Sequence, residues 1–406
     1  MKTARDFACS ALIVILFAEI ILTCIQSVQA DSHTPLSAQW EAVRIGICMP
    51  VKGPFAELSR FQADGIKMAC EMAKGKSSRP VELLFRDSGT TAQEFSLSLQ
   101  KLLREEKISG IISNVPYDLI ARNEEIIKQG NVPFISTSSA GRDWAEKDGL
   151  PVVRLCAGPE DQAQACARFI TDVVRARRIG LVVNDKDELS VRIASLFSAS
   201  LLRTGGRVED IVYVRPSEDP AEAIAHLMGK KPEAVYMPTL CVGTNPALMK
   251  IRAFDVLKPV LVGNILDEET FMREVRSSLE GVYVQTNYIE EKVSSSLGKE
   301  FVSYFSKHSP KRAYLGEKIA TGAEAYFLML HILSSQMAEN PKEKTGVPLS
   351  WKPALLGMAL NASDGHVKNS LFFGQIKRKI FGGATIKYVA TISVPRSDPV
   401  TNVRAQ

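Results

Sequence analysis

Short apolar segments and amphipathic stretches follow one another in a fixed order along most of this chain. Val43–Met49, Val81–Phe85, Ile108–Ser113 and Val132–Ser136 are apolar runs of strand length. Between them, apolar positions recur at helical spacing near Ser59–Ala73, Ala92–Glu106 and Leu119–Gln129. Strand, helix and strand in that order predict a parallel sheet with helices on both faces. Gly149-Leu150-Pro151 punctuates the chain, and Val152–Leu155 is expected to open a second run. That run predicts helices over Pro159–Ala176, Leu189–Arg203, Pro220–Met228 and Pro246–Phe254. Its strands are Arg178–Val183, Val208–Val214, Ala234–Met237 and Pro259–Val262, with Gly281–Gln285 as one more. Two halves alike in architecture imply an internal duplication. The chain then turns helical over Ser294–Lys307, Gly316–Ser335 and Trp351–Leu360, with Ala338–Ser350 as a polar surface loop. Ser370–Ile380 and Thr385–Ile392 flank Gly382-Gly383 and predict a closing hairpin. A helical block after two sheet runs suggests that the chain crosses back to finish its first half.

In such sheets ligands bind in the crevice beyond the carboxyl ends of the strands. Here those ends read Pro50-Val51-Lys52-Gly53-Pro54-Phe55, Ser113-Asn114-Val115-Pro116-Tyr117 and Ser136-Thr137-Ser138-Ser139-Ala140. They supply hydroxyls and backbone amides for a small polar molecule, not a set of acids, bases and nucleophiles. Catalytic signatures are missing too: no Walker-type loop, no Gly-x-Gly-x-x-Gly after a strand, no Gly-x-Ser-x-Gly elbow. His33, His226, His308, His331 and His366 lie far apart in sequence and share no ligand spacing, so no metal and no cofactor is expected. Asn184-Asp185-Lys186-Asp187-Glu188 lacks the glycine and closing glutamate of a calcium loop and reads as a helix N-terminus. Asn361-Ala362-Ser363 matches a glycosylation sequon short enough to arise by chance.

Composition narrows the picture further. The 406 residues suffice for two domains, and 45% apolar with 23% charged is an ordinary globular balance. The net charge of +5 is scattered; Arg175-Ala176-Arg177-Arg178 is its densest cluster, at a helix-to-strand corner. Nucleic acid is therefore not an expected partner. Lys2 and Arg5 precede an apolar stretch from Phe7 to Ile25, and Val28-Gln29-Ala30 places signal cleavage before Asp31. An uncleaved anchor and a lipoprotein signal at Cys24 are the alternatives, in that order. No later segment approaches the ~20 apolar residues of a membrane span, so a soluble mature protein outside the cytoplasm is expected. That protein keeps Cys48, Cys70, Cys156, Cys166 and Cys241, an odd number in no metal or redox spacing, read mostly as buried thiols.

Several of these segments carry a resemblance. Ile45-Gly46-Ile47 with Gly53-Pro54-Phe55-Ala56, then Phe85-Arg86-Asp87-Ser88, Gly110-Ile111-Ile112 and Asn131–Ala140, resemble the periplasmic substrate-binding proteins of branched-chain amino acid ABC transporters. Arg178–Asp185 and Ala234–Met237 extend the likeness, which covers roughly residues 43–335 in the order of many weak signals. It implies an α/β fold of two Rossmann-like lobes, parallel sheets flanked by helices, joined by a three-crossover hinge and closing on one small ligand. The expected division is a signal peptide over 1–30, a first lobe over 41–151 plus 289–365, and a second over 152–285 plus 366–400. Crossings are expected near Leu150–Leu155, Tyr283–Ile289 and Gly365–Leu371. The implied partners are a small-molecule ligand and the permease subunits of an ABC transporter, for a monomer in the periplasm that is not an enzyme.

The resemblance also implies site positions, and here the chain departs from the pattern. Phe55, Leu58, Tyr117, Ser136, Ser138 and Ser139 fall at first-lobe contact positions; Asn184, Leu189, Cys241, Asn264 and Asp267 fall at those of the second. Tyr117-Asp118 stands near the position where amino-acid binders have a serine pair after the third strand that holds the α-carboxylate. Leu58 and Leu189 stand where aromatics are usual. Asn264 and Ile265 stand where an acid holds the α-ammonium, with Asp267 next. The fold survives these changes, but amino-acid specificity does not follow; a less charged organic acid, an amide or an aromatic compound are candidates. A ligand-sensing subunit for a membrane receptor and, further off, an exported hydrolase are the alternative functions.

Overall fold

The strand Val43–Met49 (β1) sends Ile45, Ile47 and Met49 to one face of a parallel sheet and Cys48 to the other, the period-two alternation of a buried strand. The computed structural model describes residues 42–394 apart from 54, 77–78, 139–151, 217, 241–244, 266–279, 310–314, 339–349, 357–358, 362–365, 369 and 379–383. Four further strands complete the sheet: Val81–Asp87 (β2), Gly110–Ser113 (β3), Phe134–Ser136 (β4) and Val152–Arg154 (β5). All pair in parallel, in the order β2-β1-β3-β4-β5. One face is covered by Ala56–Ala73 (α1), Ser296–His308 (α9) and Glu317–Ala338 (α10), with Phe61, Ile66, Phe301, Phe305, Tyr326 and Met329 in its core. The other is covered by Ala92–Gln100 (α2), Tyr117–Arg122 (α3) and Glu124–Gly130 (α4), through Phe95, Leu99, Leu119, Ile120 and Ile127.

A second sheet is built the same way from Arg178–Asn184 (β6), Arg207–Val214 (β7), Ala234–Leu240 (β8), Val260–Ile265 (β9) and Tyr283–Thr286 (β10). The closing hairpin, Ser370–Arg378 (β14) with Ala384–Ser393 (β15), joins it antiparallel, giving the order β15-β14-β10-β9-β8-β6-β7. Pro159–Arg168 (α5) and Glu188–Arg203 (α6) pack on one face, where the Phe169 ring stacks 4.2 Å from Phe373. Ala221–Gly229 (α7) and Asn245–Phe254 (α8) pack on the other, through Ile224, Leu227, Leu248 and Ile251. Ser350–Trp351 (β11), Ala359–Asn361 (β12) and His366–Lys368 (β13) form a small antiparallel sheet on the return path.

Five sequence expectations are corrected. Val152–Leu155, expected to open the second run, contributes β5 to the first sheet, because its apolar residues complete that sheet's edge beside β4. The helix expected over Leu119–Gln129 breaks at Asn123, whose Nδ2 bonds the carbonyls of Leu119 at 2.9 Å and Ala92 at 3.2 Å. A buried amide with competing backbone partners interrupts a helix in this way. The helices expected over Ala92–Glu106 and Pro159–Ala176 each end in a π-helical turn, Lys101–Glu105 and Phe169–Val174. No helix forms over Trp351–Leu360 among the described residues. Instead, the amides of Ala354, Leu355 and Leu356 donate to the buried Glu324 carboxylate at 3.0, 2.6 and 3.3 Å, which takes them out of any helical ladder.

α10 docks on α1 by direct backbone contact. A Cβ at Gly65 would overlap the Ile319 carbonyl, and one at Gly322 would overlap the Gln62 carbonyl. Gly65→Ala and Gly322→Ala are each expected to cost about 1–3 kcal/mol, the usual penalty of overpacking. The double variant should cost less than the sum, since both push the same two helices apart; urea unfolding of the three proteins checks both points.

Glu233, just before β8, accepts from the backbone amides of Arg177 at 2.7 Å and Arg178 at 3.1 Å. These bonds hold its carboxyl down at about 2, below its ordinary 4.5. A depressed folded value contributes stability above the ordinary range that is lost as pH falls through it. Glu233→Gln should therefore lower the melting temperature at neutral pH, with a deficit that shrinks as pH falls from about 4.5 towards 2 in a pH series of thermal melts.

Candidate ligand-binding site

In each sheet the strand order reverses once, between β1 and β3 in the first and between β6 and β8 in the second. Neighbouring crossovers leave opposite faces at such a point, which opens a crevice at the carboxyl ends. At the first, Asn114 follows β3 and is fully buried. Its Nδ2 donates to Ser59 Oγ at 3.1 Å, and that hydroxyl donates in turn to the Phe55 carbonyl at 2.8 Å. Ser113 Oγ donates to the Cys48 carbonyl at 2.6 Å, and Thr137 Oγ1 to Gln62 Oε1 at 2.8 Å. Hydroxyls and an amide at the ends of β3 and β4 are thereby tied to α1 or to the neighbouring strand.

The second reversal is similar. Asn184 ends β6; its Oδ1 accepts from the Lys186 amide at 3.1 Å, and its own amide donates to Ser190 Oγ at 3.2 Å. Asp187 caps α6 by accepting from the Leu189 amide at 3.1 Å, and its other oxygen accepts from Thr239 Oγ1 at 2.8 Å. Asp185 is engaged as well. Arg215 grips it at 2.8–3.0 Å and holds its carboxyl below the usual carboxylate range. Both acids of this loop therefore have partners within the protein.

Asn264, on β9, is oriented by a buried neighbour. Gln162 Nε2 donates to the Ala157 carbonyl at 2.8 Å, which leaves Gln162 Oε1 to accept from Asn264 Nδ2 at 2.6 Å. The backbone carbonyl thus dictates both amide orientations, and Asn264 keeps Oδ1, an acceptor, for whatever approaches the strand end.

The other sequence-named positions fall as follows. Phe55 and Leu58 are half-buried, at the entry and in the first turn of α1. Tyr117 opens α3. Ser136 ends β4 and lies 3.2 Å, Oγ to Oγ, from Ser138, whose carbonyl accepts from the Cys156 thiol. Leu189 is half-buried against the core of α5 and α6. Ser139, Cys241 and Asp267 lie outside the described residues. Cys48, Cys70 and Cys166 are buried free thiols; burial pushes Cys48 and Cys166 up to about 12, so neither is a nucleophile at neutral pH. Sequence reading missed Ser59, Gln62 and Gln162, which sit in helices with no local mark of a site. It places Asn114 at a strand end without naming it a contact position, and it misses Thr239, which the same strand-end criterion could have found.

A family model described as periplasmic binding protein matches residues 42–379. The chain belongs to the periplasmic binding protein family. Like known members, this periplasmic binding protein has two α/β lobes, each a sheet flanked by helices, so the resemblance read from the sequence is borne out. Leu/Ile/Val-binding protein BraC3 of Rhizobium johnstonii is 20% identical over 201 residues, 48% of this chain; the chain spans about half the length of that curated relative, 53%. A leucine binding protein, LivK, from Thermotoga maritima superposes with a TM-score of 0.69 at 19% identity, covering 86% of this chain and 99% of its own. A solute binding protein of an ABC transporter from Rhodopseudomonas palustris, in complex with 3,4-dihydroxybenzoic acid, gives 0.71 at 15%, covering 87% and 97%. Family and fold are those of binding proteins, not enzymes. Among the described residues, no helix is long and apolar enough to cross a membrane and no group of acids, histidines and cysteines could hold a metal ion.

The Gln162 orientation can be tested without a ligand. Gln162→Leu leaves the Ala157 carbonyl and the Asn264 amide unpaired, an expected loss of about 1–3 kcal/mol. Gln162→Glu should be worse at neutral pH, because an ionised carboxylate cannot donate to Ala157. It should recover on acidification, when the protonated carboxyl can donate again. Melting temperatures of the two variants against pH read this out.

Proposed function

We propose that this protein captures a small polar or amphipathic molecule between its lobes and delivers it to the permease subunits of an ABC transporter. The observation that carries the reading is the pair of strand-order reversals, one per lobe, each furnished with hydroxyls and amides, the second also with the capped start of α6, and with no catalytic set among the described residues. The proposed site joins Phe55, Leu58, Tyr117, Ser136, Ser138 and Ser139 of the first lobe to Asn184, Leu189, Cys241, Asn264 and Asp267 of the second. The lobes divide at crossings just after Leu155 and near Tyr283–Ile289 and Gly365–Leu371. Removal of residues 1–30 as a signal peptide would place the protein in the periplasm as a monomer.

Similar proteins are described as binding leucine, or as complexed with a dihydroxybenzoic acid. The described wall of the second lobe favours the less charged kind of ligand. Asp185 and Asp187 are already bonded, and Asn264 offers a neutral acceptor where an ammonium would need a carboxylate. Loss of one charged contact costs about 2–5 kcal/mol, enough to turn a micromolar ligand into a millimolar one. Leucine, isoleucine and valine should accordingly bind weakly or not at all in calorimetric titration. Micromolar affinity for any of them, abolished by Asp267→Asn, would place the ammonium anchor at Asp267 instead. The ligand carried by protein purified without refolding, identified by mass spectrometry, should compact the molecule in solution scattering; an unchanged profile at saturation would count against capture.

A further inference from the structure

The second crossing between lobes is very short. Thr286 is still laddered to Phe372 of β14 in the second sheet, whereas Tyr288 is already buried in the first-lobe core with α1, α9 and α10. One residue, Asn287, separates them, so any lobe rotation at this crossing is absorbed by a few backbone angles around it. Glu317, the first residue of α10, spans this point. Its Oε2 accepts from Thr286 Oγ1 at 2.9 Å and its Oε1 accepts from Asn287 Nδ2 at 2.8 Å. The Tyr288 amide donates back to Thr286 Oγ1 at 3.1 Å, and Lys318 Nζ lies 3.9 Å from Glu317 Oε1. The carboxylate cannot drift with its partners, because α10 is locked to α1 at Gly65 and Gly322.

Two neighbouring groups pull the other way. Asn287 Oδ1 and Gln285 Oε1 are buried, and among the described residues no hydrogen-bond donor faces them. Buried acceptors without donors favour any arrangement that supplies them. The crossing thus holds charge-assisted bonds that favour the present lobe arrangement and orphaned acceptors that favour leaving it, the elements of a two-state hinge.

We propose that Glu317 is a positioning residue that sets the balance between lobe arrangements through its bonds to Thr286 and Asn287. Where only one arrangement completes the site, apparent affinity scales with the fraction of molecules in it, so Glu317 would tune binding without touching the ligand. That consequence rests on the capture reading above; the hinge assignment does not.

The test needs no ligand. Glu317→Gln, Glu317→Ala and Thr286→Val are made in the full chain, shown to be folded by thermal melts, and studied ligand-free by solution scattering and hydrogen exchange. A roughly tenfold shift in the lobe equilibrium is expected, the loss of bonds to a charged group. It should appear as a changed scattering profile and about tenfold faster exchange confined to the 283–289 crossing. Should the Glu317 variants not fold, Thr286→Val decides by its scattering profile, since it removes the donor to Glu317 and leaves the carboxylate in place; exchange at Tyr288, whose amide loses its own acceptor in this variant, is not counted. Unchanged scattering with unchanged exchange in a folded variant would overturn the proposal. So would exchange that quickens evenly along the chain without a change of profile. Failure of the capture reading would show separately, as absence of a ligand or of ligand-driven compaction.

Discussion

The covering of one face of the first sheet, by α1, α9 and α10, depends on the contact between α1 and α10. These helices are separated by some 240 residues, an entire second lobe, yet they meet with backbone against backbone at Gly65 and Gly322. Close approach at both glycines lets Phe61 and Ile66 of α1 share one core with Tyr326 and Met329 of α10, closing the face of the first sheet. It also fixes where the chain must return after β10. The loop over Ala354–Leu356 is seated by Glu324, a residue of the same helix, whose carboxylate receives three backbone amides. A buried carboxylate is costly unless donors surround it, and here the fold supplies them from a segment that would otherwise have no regular partner.

The polar groups at the strand ends follow a common plan. Among the described residues many are held by a residue from a flanking helix or strand, as Ser59 holds Asn114, Gln62 holds Thr137 and Gln162 holds Asn264. Such bonds pre-set donors and acceptors before a ligand arrives, so less ordering remains to be done on binding. The same logic explains why acids in the second-lobe loop do not act as free charges. Asp187 is a helix cap shared with Thr239, and Asp185 is the partner of Arg215.

Strand and helix positions were legible because both sheets are buried on both faces: apolar runs such as Val260–Val262 and Ile179–Val183 have no other home. Local periodicity names an element but not its sheet, which is why Val152–Arg154 could be recognised as a strand and still be assigned to the wrong half. The helix expected over Trp351–Leu360 failed for a related reason. Its apolar spacing is real, but Glu324, some 30 residues away in sequence, competes for the amides that a helix needs.

By itself the sequence determined the α/β class, the doubled strand–helix order, the closing hairpin and the polar character of the strand ends, because each follows from residues close together in the chain. Only the tertiary structure decided which hydroxyls and amides are already bonded, which way the Asn264 amide faces, and that Glu317 reaches the crossing at Thr286 and Asn287. Those facts depend on pairs such as Gln162 with Asn264 and Thr286 with Glu317. Hydrogen bonds between side chains far apart in sequence leave no periodic trace, since their partners are chosen by packing and not by spacing.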